Sequence, residues 1–339
     1  MAGKRQHYIP QFLQRGFTIE KNGAKTWVTR VDRKPYQSNI QNVGVEGYFY
    51  TKEDDVLVDE IITEEEIAIS SMINDLKKCK HGEIISSKEA AKLIAHFEIR
   101  TRNLRVNFSQ AFQNITEVIA DTVKNQNIFL KYLRKKISTD AFLIEEQIKE
   151  LPIPSSQRNM WITIFQKNPD LIINNIPKYI LSNLAYQITQ QISTEIINKI
   201  AKDGHLKALK DTISPERKVI TFSKLSFKII KTEESLILGD SIVIFVNSLD
   251  RFKPFYEKND IIKSIILPLD ERTCIMGSNI SNQSYSIHEI REMISSCSLE
   301  FFISTDEKIA FQYGKNIGKH AKFLTKEQAY DMIEGILNE

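Results

Sequence analysis

The stretch KRQHYIPQFLQRGF, residues 4–17, sets His7 and Gln11 among Tyr8, Ile9, Phe12, Leu13 and Phe17. An imidazole that titrates near neutrality can take or give a proton, so His7 is a candidate general acid or base. The same residue can equally act as a clasp, hydrogen-bonding the N-terminal segment to the body with Gln11 one turn or two strand steps later. A second set lies in the middle of the chain, where His96, Arg100, Asn103 and Asn107 are spaced by four, three and four and form a polar seam along a helix. Such a seam lines a cleft or forms a hydrogen-bonded strip. Arg100, Arg102 and Arg105 would offer forked, fixed cations if it opens onto a pocket, and phosphate is the natural guest of such a grip.

Two carboxylates complete the set. Glu65, four residues after Ile61 and three before Ala68, is expected on the inward helix face opposite Arg100. Asp240 follows Gly239 at a turn into a strand, a common place for a functional acid and for an ordinary turn aspartate. Thr63 and Glu66 read as a capping box, which accounts for Glu66 without a further role. If His7, Glu65, Arg100 and Asp240 converge, the site suits phosphodiester cleavage. His7 would move the proton, Arg100 would offset the developing charge, and the carboxylates would orient His7 or hold a divalent ion such as Mg²⁺. Gln11, His96, Asn103, Arg102 and Arg105 would contact the substrate. The sequence therefore points to a nuclease-like enzyme that prefers RNA to DNA, of a kind that would suit a toxin or antiphage effector. The alternative is a non-catalytic interaction or assembly module with a protein partner, in which the N-terminal motif is a clasp.

Three regions must position these residues. Residues 1–57 carry the β-rich runs TWVTRV and EGYFYT between polar segments. Residues 58–212 read as a helical body, with Ile94, Phe97, Thr101, Leu104, Phe108 and Ala111 winding one apolar stripe down a long helix. Breaks are expected at Lys80–Gly82, Leu151–Ser155, Asn168–Pro169 and Ile176–Pro177. From 213 to 339 the runs KVITF, FKII, SIVIFV, SIILPL, TCIMG and LEFFIST predict strands. Helices are expected near Ile287–Ser296 and from the Thr325 cap, with Gln328 in the capping-box position, to Leu337. The pattern is α+β, a long helical middle with a mixed or antiparallel sheet built from N-terminal and C-terminal strands. One composite domain over 1–339 is the favoured organisation, with a split near 213 as the second.

Composition narrows the classes. In 339 residues, 42% are hydrophobic and 26% charged, the balance of a folded globular chain. The net charge of +3 is too small to announce a nucleic-acid or membrane partner, so any basic surface must be local. Residues 1–35 supply one, with eight basic side chains from Lys4 to Lys34 against Glu20 and Asp32, and the acidic run from Glu53 to Glu66 could neutralise it. Three widely spaced cysteines exclude a disulfide framework and a CxxC knuckle. The sequence has no GxGxxG, no P-loop, no GxSxG and no HExxH, and its six histidines lack metal-ligand spacing, so no dedicated zinc site is expected. A start without an apolar signal core, and apolar runs well under about 20 residues, predict a cytoplasmic chain without membrane spans.

The opening His7-Tyr8-Ile9-Pro10-Gln11-Phe12 resembles the start of a mostly bacterial family, domain of unknown function 4238. The resemblance continues through VGVEGYFY at 43–50, Glu64–Glu66 with Ala68, and Arg100-Thr101, and returns at Gly239-Asp240, Leu267-Pro268-Leu269 and Phe301–Ser304. Where the family has Ser-Asp-Asn-Pro, this chain reads Gly239-Asp240-Ser241-Ile242, which weakens any role for Asp240. The resemblance implies a shared fold and a shared polar site, and carries no activity with it.

Overall fold

A computed structural model describes residues 5–21, 23–51, 56–177, 179–180, 183, 186, 194–257, 260–322 and 324–338. Lys4 of the basic segment and Glu53, Asp54 and Asp55 of the acidic run lie outside them. The chain groups into two compact units, residues 1–108 with 200–323, and residues 109–199 with 324–339. Residue 213, where the sequence texture changes most sharply, lies inside the first unit.

The first unit is α+β. Its described strands, in chain order, are β1 (Arg5–His7), β2 (Lys25–Arg30), β3 (Arg33–Asn39), β4 (Val45–Gly47), β5 (Ile84–Ile85), β6 (Ser226–Lys231), β7 (Ile237–Gly239), β8 (Ile244–Asn247), β9 (Phe252–Lys253), β10 (Ile262–Asp270), β11 (Thr273–Ser278) and β12 (Phe301–Ser304). They form a two-stranded ribbon β1-β4, a six-stranded sheet β5-β6-β11-β10-β8-β9 and a four-stranded sheet β3-β2-β12-β7. All their pairings are antiparallel. The β12–β2 pair, with Ile303 opposite Val28, joins the two ends of the chain as the sequence pattern predicts. One continuous core runs from Ile9, Leu13 and Phe17 through Phe97 to Phe227, Ile265, Ile275 and Phe302.

Two expectations change. KVITF forms the helix Glu216–Phe222, because Pro215 starts a helical turn and Phe222, one turn after half-buried Val219, is buried in the core. The long apolar stripe belongs to two helices. After α1 (Gln11–Gln14) and α2 (Leu57–Leu76), α3 (Ser87–Ile99) ends and α4 (Arg102–Lys124) begins around Arg100. Thr101 is the cause, since its hydroxyl accepts from the backbone N–H of Leu104 at 3.3 Å and so caps a new helix.

The second unit is helical. Helices Gln126–Thr139, Ala141–Lys149 and Ser155–Lys167 and the short turn Asp170–Ile173 enclose a small core of Ile137, Ile144, Ile148 and Ile173. The expected breaks at Pro152–Pro154 and Pro169 separate these helices. The last helix, Lys326–Asn338, starts from the foreseen box, with Thr325 N–H on Gln328 Oε1 at 2.9 Å and Gln328 N–H on Thr325 Oγ1 at 3.2 Å. Among the described residues no helix is long and apolar enough to cross a membrane.

Candidate functional site

The N-terminal motif folds by local rules that place its polar groups. In β1, Gln6 pairs with Glu46 and His7 with Val45, so Arg5 and His7 share one face of the ribbon. Pro10 then starts α1, and the turn returns Gln11 beside the histidine. The ribbon closes on Gly44, whose carbonyl accepts from the backbone of Tyr8 and Ile9. Gly44 has φ +60°, and a Cβ there would lie 2.8 Å from Ile9 Cβ, so only glycine fits.

The motif, Tyr50, α2 and Arg100 line a solvent-open cavity of about 410 Å³. His7 is half-buried in its wall. Its Nδ1–H donates to Val43 O at 3.2 Å, a partner that fixes the tautomer and leaves Nε2 to accept from the Gln11 amide at 2.8 Å. Burial holds the imidazole below the ordinary histidine value, with the Val43 carbonyl and Glu66 pulling the other way.

Arg100, 1% exposed, is held on every side. Its guanidinium donates to Tyr50 Oη at 3.1 Å, to His96 Nε2 at 3.1 Å, to His7 O at 3.1 Å and to Glu66 Oε1 at 2.6 Å. Burial alone would lower its pKa, and Tyr50 and Glu66 more than reverse that, so the cation persists. His7 and Arg100 thus meet at one cavity as the sequence predicts, with Arg100 committed to positioning Glu66 and the His7 backbone.

The carboxylate that meets Arg100 is Glu66, while Glu65 is exposed and does not line the cavity. The helix begins at Leu57, so Thr63 sits inside it and donates to Asp59 O at 2.7 Å instead of capping. With Val58, Ile62, Ile69 and Ile73 buried, the inward stripe runs 58, 62, 66, 69, 73, and Glu65 lies outside its edge, about 60° from its centre. Counting the inward face through Ile61 and Ala68 rotates it away from the buried stripe, since Ala68 is exposed.

Asp240 lies elsewhere. It is 3% exposed and accepts the backbone N–H groups of Leu299 and Glu300, both at 2.7 Å, and of Phe301 at 3.2 Å, tying the turn after β7 to the start of β12. Burial pushes its carboxyl up to about 6 against the pull of those three donors. It is a structural knot. The polar seam also turns inward. His96 is buried, held neutral far below its ordinary value by burial and then by Arg100, and supports the guanidinium without lining the cavity. Asn103 donates to Cys297 O at 3.4 Å and Asn107 to Ala321 O at 2.9 Å, forming a hydrogen-bonded strip.

Arg102 and Arg105 form no anion grip with Arg100. Arg102 ion-pairs with Glu46 at 2.8 Å and with Glu300. Arg105 stacks 3.8 Å from the centre of the Phe49 ring, donates to Phe49 O at 2.8 Å and to His205 Nδ1 at 3.1 Å, and is lowered to about 10 by burial. Besides the committed Arg100, the cations that line the cavity are Arg5 and Arg15, both exposed. They belong to the same 14-residue motif, whose crowding was the available signal. Asp59 and Gln6 also line it. Asp59 is raised by burial, with the Gln6 amide opposing. Neither Glu65 nor Asp240 lines the cavity, so the expected carboxylate pair for a divalent ion is not assembled there.

The chain belongs to the family described as protein of unknown function (DUF4238), which it matches over residues 5–307. That span takes in the motif, Glu66, Arg100 and Asp240. No curated protein and no solved structure matches it.

Proposed function

We propose that the chain is a hydrolase-like nuclease that cleaves phosphodiester bonds, RNA in preference to DNA, at the cavity beside His7. The observation that carries this reading is a half-buried imidazole, held neutral by burial, sharing an open cavity with Arg5, Arg15 and the anchored Glu66. With Gln11 turned aside, His7 Nε2 takes the proton of an attacking 2′-hydroxyl; that oxygen bonds to phosphorus, the bond to the 5′-oxygen breaks, and the leaving oxygen is protonated from solvent. RNA carries that internal nucleophile and DNA does not. Arg5 and Arg15 offset the charge that builds on phosphorus oxygens. Used against its own host's or a phage's RNA, such an activity fits a toxin or defence effector.

One observation favours a second reading, a non-catalytic module. Both ring nitrogens and the carbonyl of His7 are hydrogen-bonded within the fold, as a clasp requires. Incubating the protein with single-stranded RNA and DNA, with and without Mg²⁺, separates the two. Cleavage of RNA that His7→Asn abolishes while the melting temperature holds supports the hydrolase. No cleavage under any condition, or a His7→Asn protein that unfolds, supports the clasp.

A further inference from the structure

The cavity's charges do not cancel. Glu66 is neutralised at 2.6 Å by the buried Arg100, so its carboxylate does not repel an incoming anion. Arg5 is anchored through Nη2 to neutral oxygens, Gln41 O at 3.1 Å and Asn42 Oδ1 at 2.8 Å, and keeps its charge. Arg15 is in no ion pair among the described residues. The other acid in the wall, Asp59, offsets one of these two cations. What remains is a hollow with one uncompensated positive charge, carried by the two rim arginines.

Gln6 adds an independent mark. Its side chain is 4% exposed, its Oε1 accepts from Tyr50 N–H at 2.6 Å, and its Nε2 has no hydrogen-bond partner. Asp59 draws on this amide electrostatically but lies outside hydrogen-bond geometry. A buried amide donor left unmade is costly, and an acceptor oxygen on a ligand would satisfy it once a turn of the side chain opens Nε2 to the cavity. A cavity of about 410 Å³ falls in the range that holds one small molecule.

We propose that this cavity seats a single nucleotide by its phosphate, with Arg5 and Arg15 on the phosphate oxygens and Gln6 Nε2 donating to a further oxygen of the ligand. The inference deepens the hydrolase reading and rests on it for the substrate's class. It means that nucleic acid enters as an unpaired strand, one nucleotide at a time.

Isothermal titration calorimetry at low ionic strength, where charge contacts are least screened, tests the seat without turnover, with uridine 5′-monophosphate, uridine and inorganic phosphate as probes. The nucleotide is expected to bind, uridine not to bind, and phosphate to bind more weakly. Arg15→Glu, at an exposed position, should weaken nucleotide binding by about tenfold or more with an unchanged melting temperature. Gln6→Glu keeps the acceptor for Tyr50 N–H while replacing the donor by an anionic oxygen, and should remove binding; should it unfold the chain, Arg15→Glu decides alone. No nucleotide binding at millimolar concentration, equal binding of uridine, phosphate binding as tight as nucleotide, or an unaffected Arg15→Glu each overturns the proposal. Nucleotide binding without RNA cleavage keeps the seat and sinks the hydrolase. Cleavage without nucleotide binding does the reverse.

Discussion

Asp240 and His7 are both polar groups of the first unit at the ends of short strands, yet they meet opposite fates. Asp240 is enclosed and spends both oxygens on three consecutive backbone N–H groups, Leu299 to Phe301. His7 keeps a wall position in an open cavity, with Nε2 held only by the Gln11 side chain. The difference teaches where function can reside. A side chain whose partners are backbone groups of distant segments holds the fold and cannot be freed cheaply. One whose reactive atom is covered by a single neighbouring side chain can exchange that partner for a ligand.

The contrast predicts a graded series of effects. Asp240→Ala strands three backbone N–H donors, that of Phe301 fully buried, so urea unfolding should show a loss of roughly 3–5 kcal/mol. A loss under about 1 kcal/mol would return Asp240 to the candidates for function. Arg100→Met removes the cation from a buried network and leaves Glu66, His96 and Tyr50 without it, at a cost of about 3 kcal/mol or more by the same measurement.

The pH dependence of stability isolates Asp240. Its carboxyl stands at about 6 in the fold and 3.8 unfolded. Folding therefore favours its protonated form, and this contribution is full below pH 3.8 and lost as pH rises through 6, about 3 kcal/mol in all. The stability difference between wild type and Asp240→Asn should shift across that window, since asparagine does not titrate; a constant difference would show that Asp240 keeps its ordinary value. His7 carries the opposite sign. Its pKa is depressed, so the neutral base persists below pH 6.5, and the acid limb of any cleavage profile should fall below that value.

His7→Asn retains a nitrogen near Nδ1 for Val43 O, so melting should report about 1 kcal/mol while cleavage falls by roughly 10²–10⁴-fold. The smallest effects separate the neighbouring acids. Glu65→Gln should change stability by less than about 0.5 kcal/mol, whereas Glu66→Gln, which loosens the Arg100 pair, should cost more. Equal effects would remove Glu66 from the site.

Local pattern announced much of this molecule. Alternating apolar runs such as TWVTRV and FKII became strands, prolines 152, 154 and 169 separated helices, and Thr325 with Gln328 built its capping box. The meeting of His7 with Arg100 was legible from residue type and crowding. Glu66 was legible in principle, once the helix was started at Leu57 and the stripe 58, 62, 66, 69, 73 counted from there. KVITF was misread because β-branched residues state a preference worth tenths of a kilocalorie, which burial of Phe222 behind a proline start overrides.

Residue types, periodicity and turn chemistry are properties of a few neighbouring positions, so the chain alone settled the α+β class, most element types and the presence of a dense polar motif at one end. Which guanidinium faces solvent is a different kind of fact. Arg102 meets Glu46 and Glu300, Arg105 stacks on Phe49 beside His205, and Arg5 and Arg15 reach the cavity because segments distant in sequence pack there. A charge is spent or available according to its partners, and partners far apart in sequence are chosen only when the core closes.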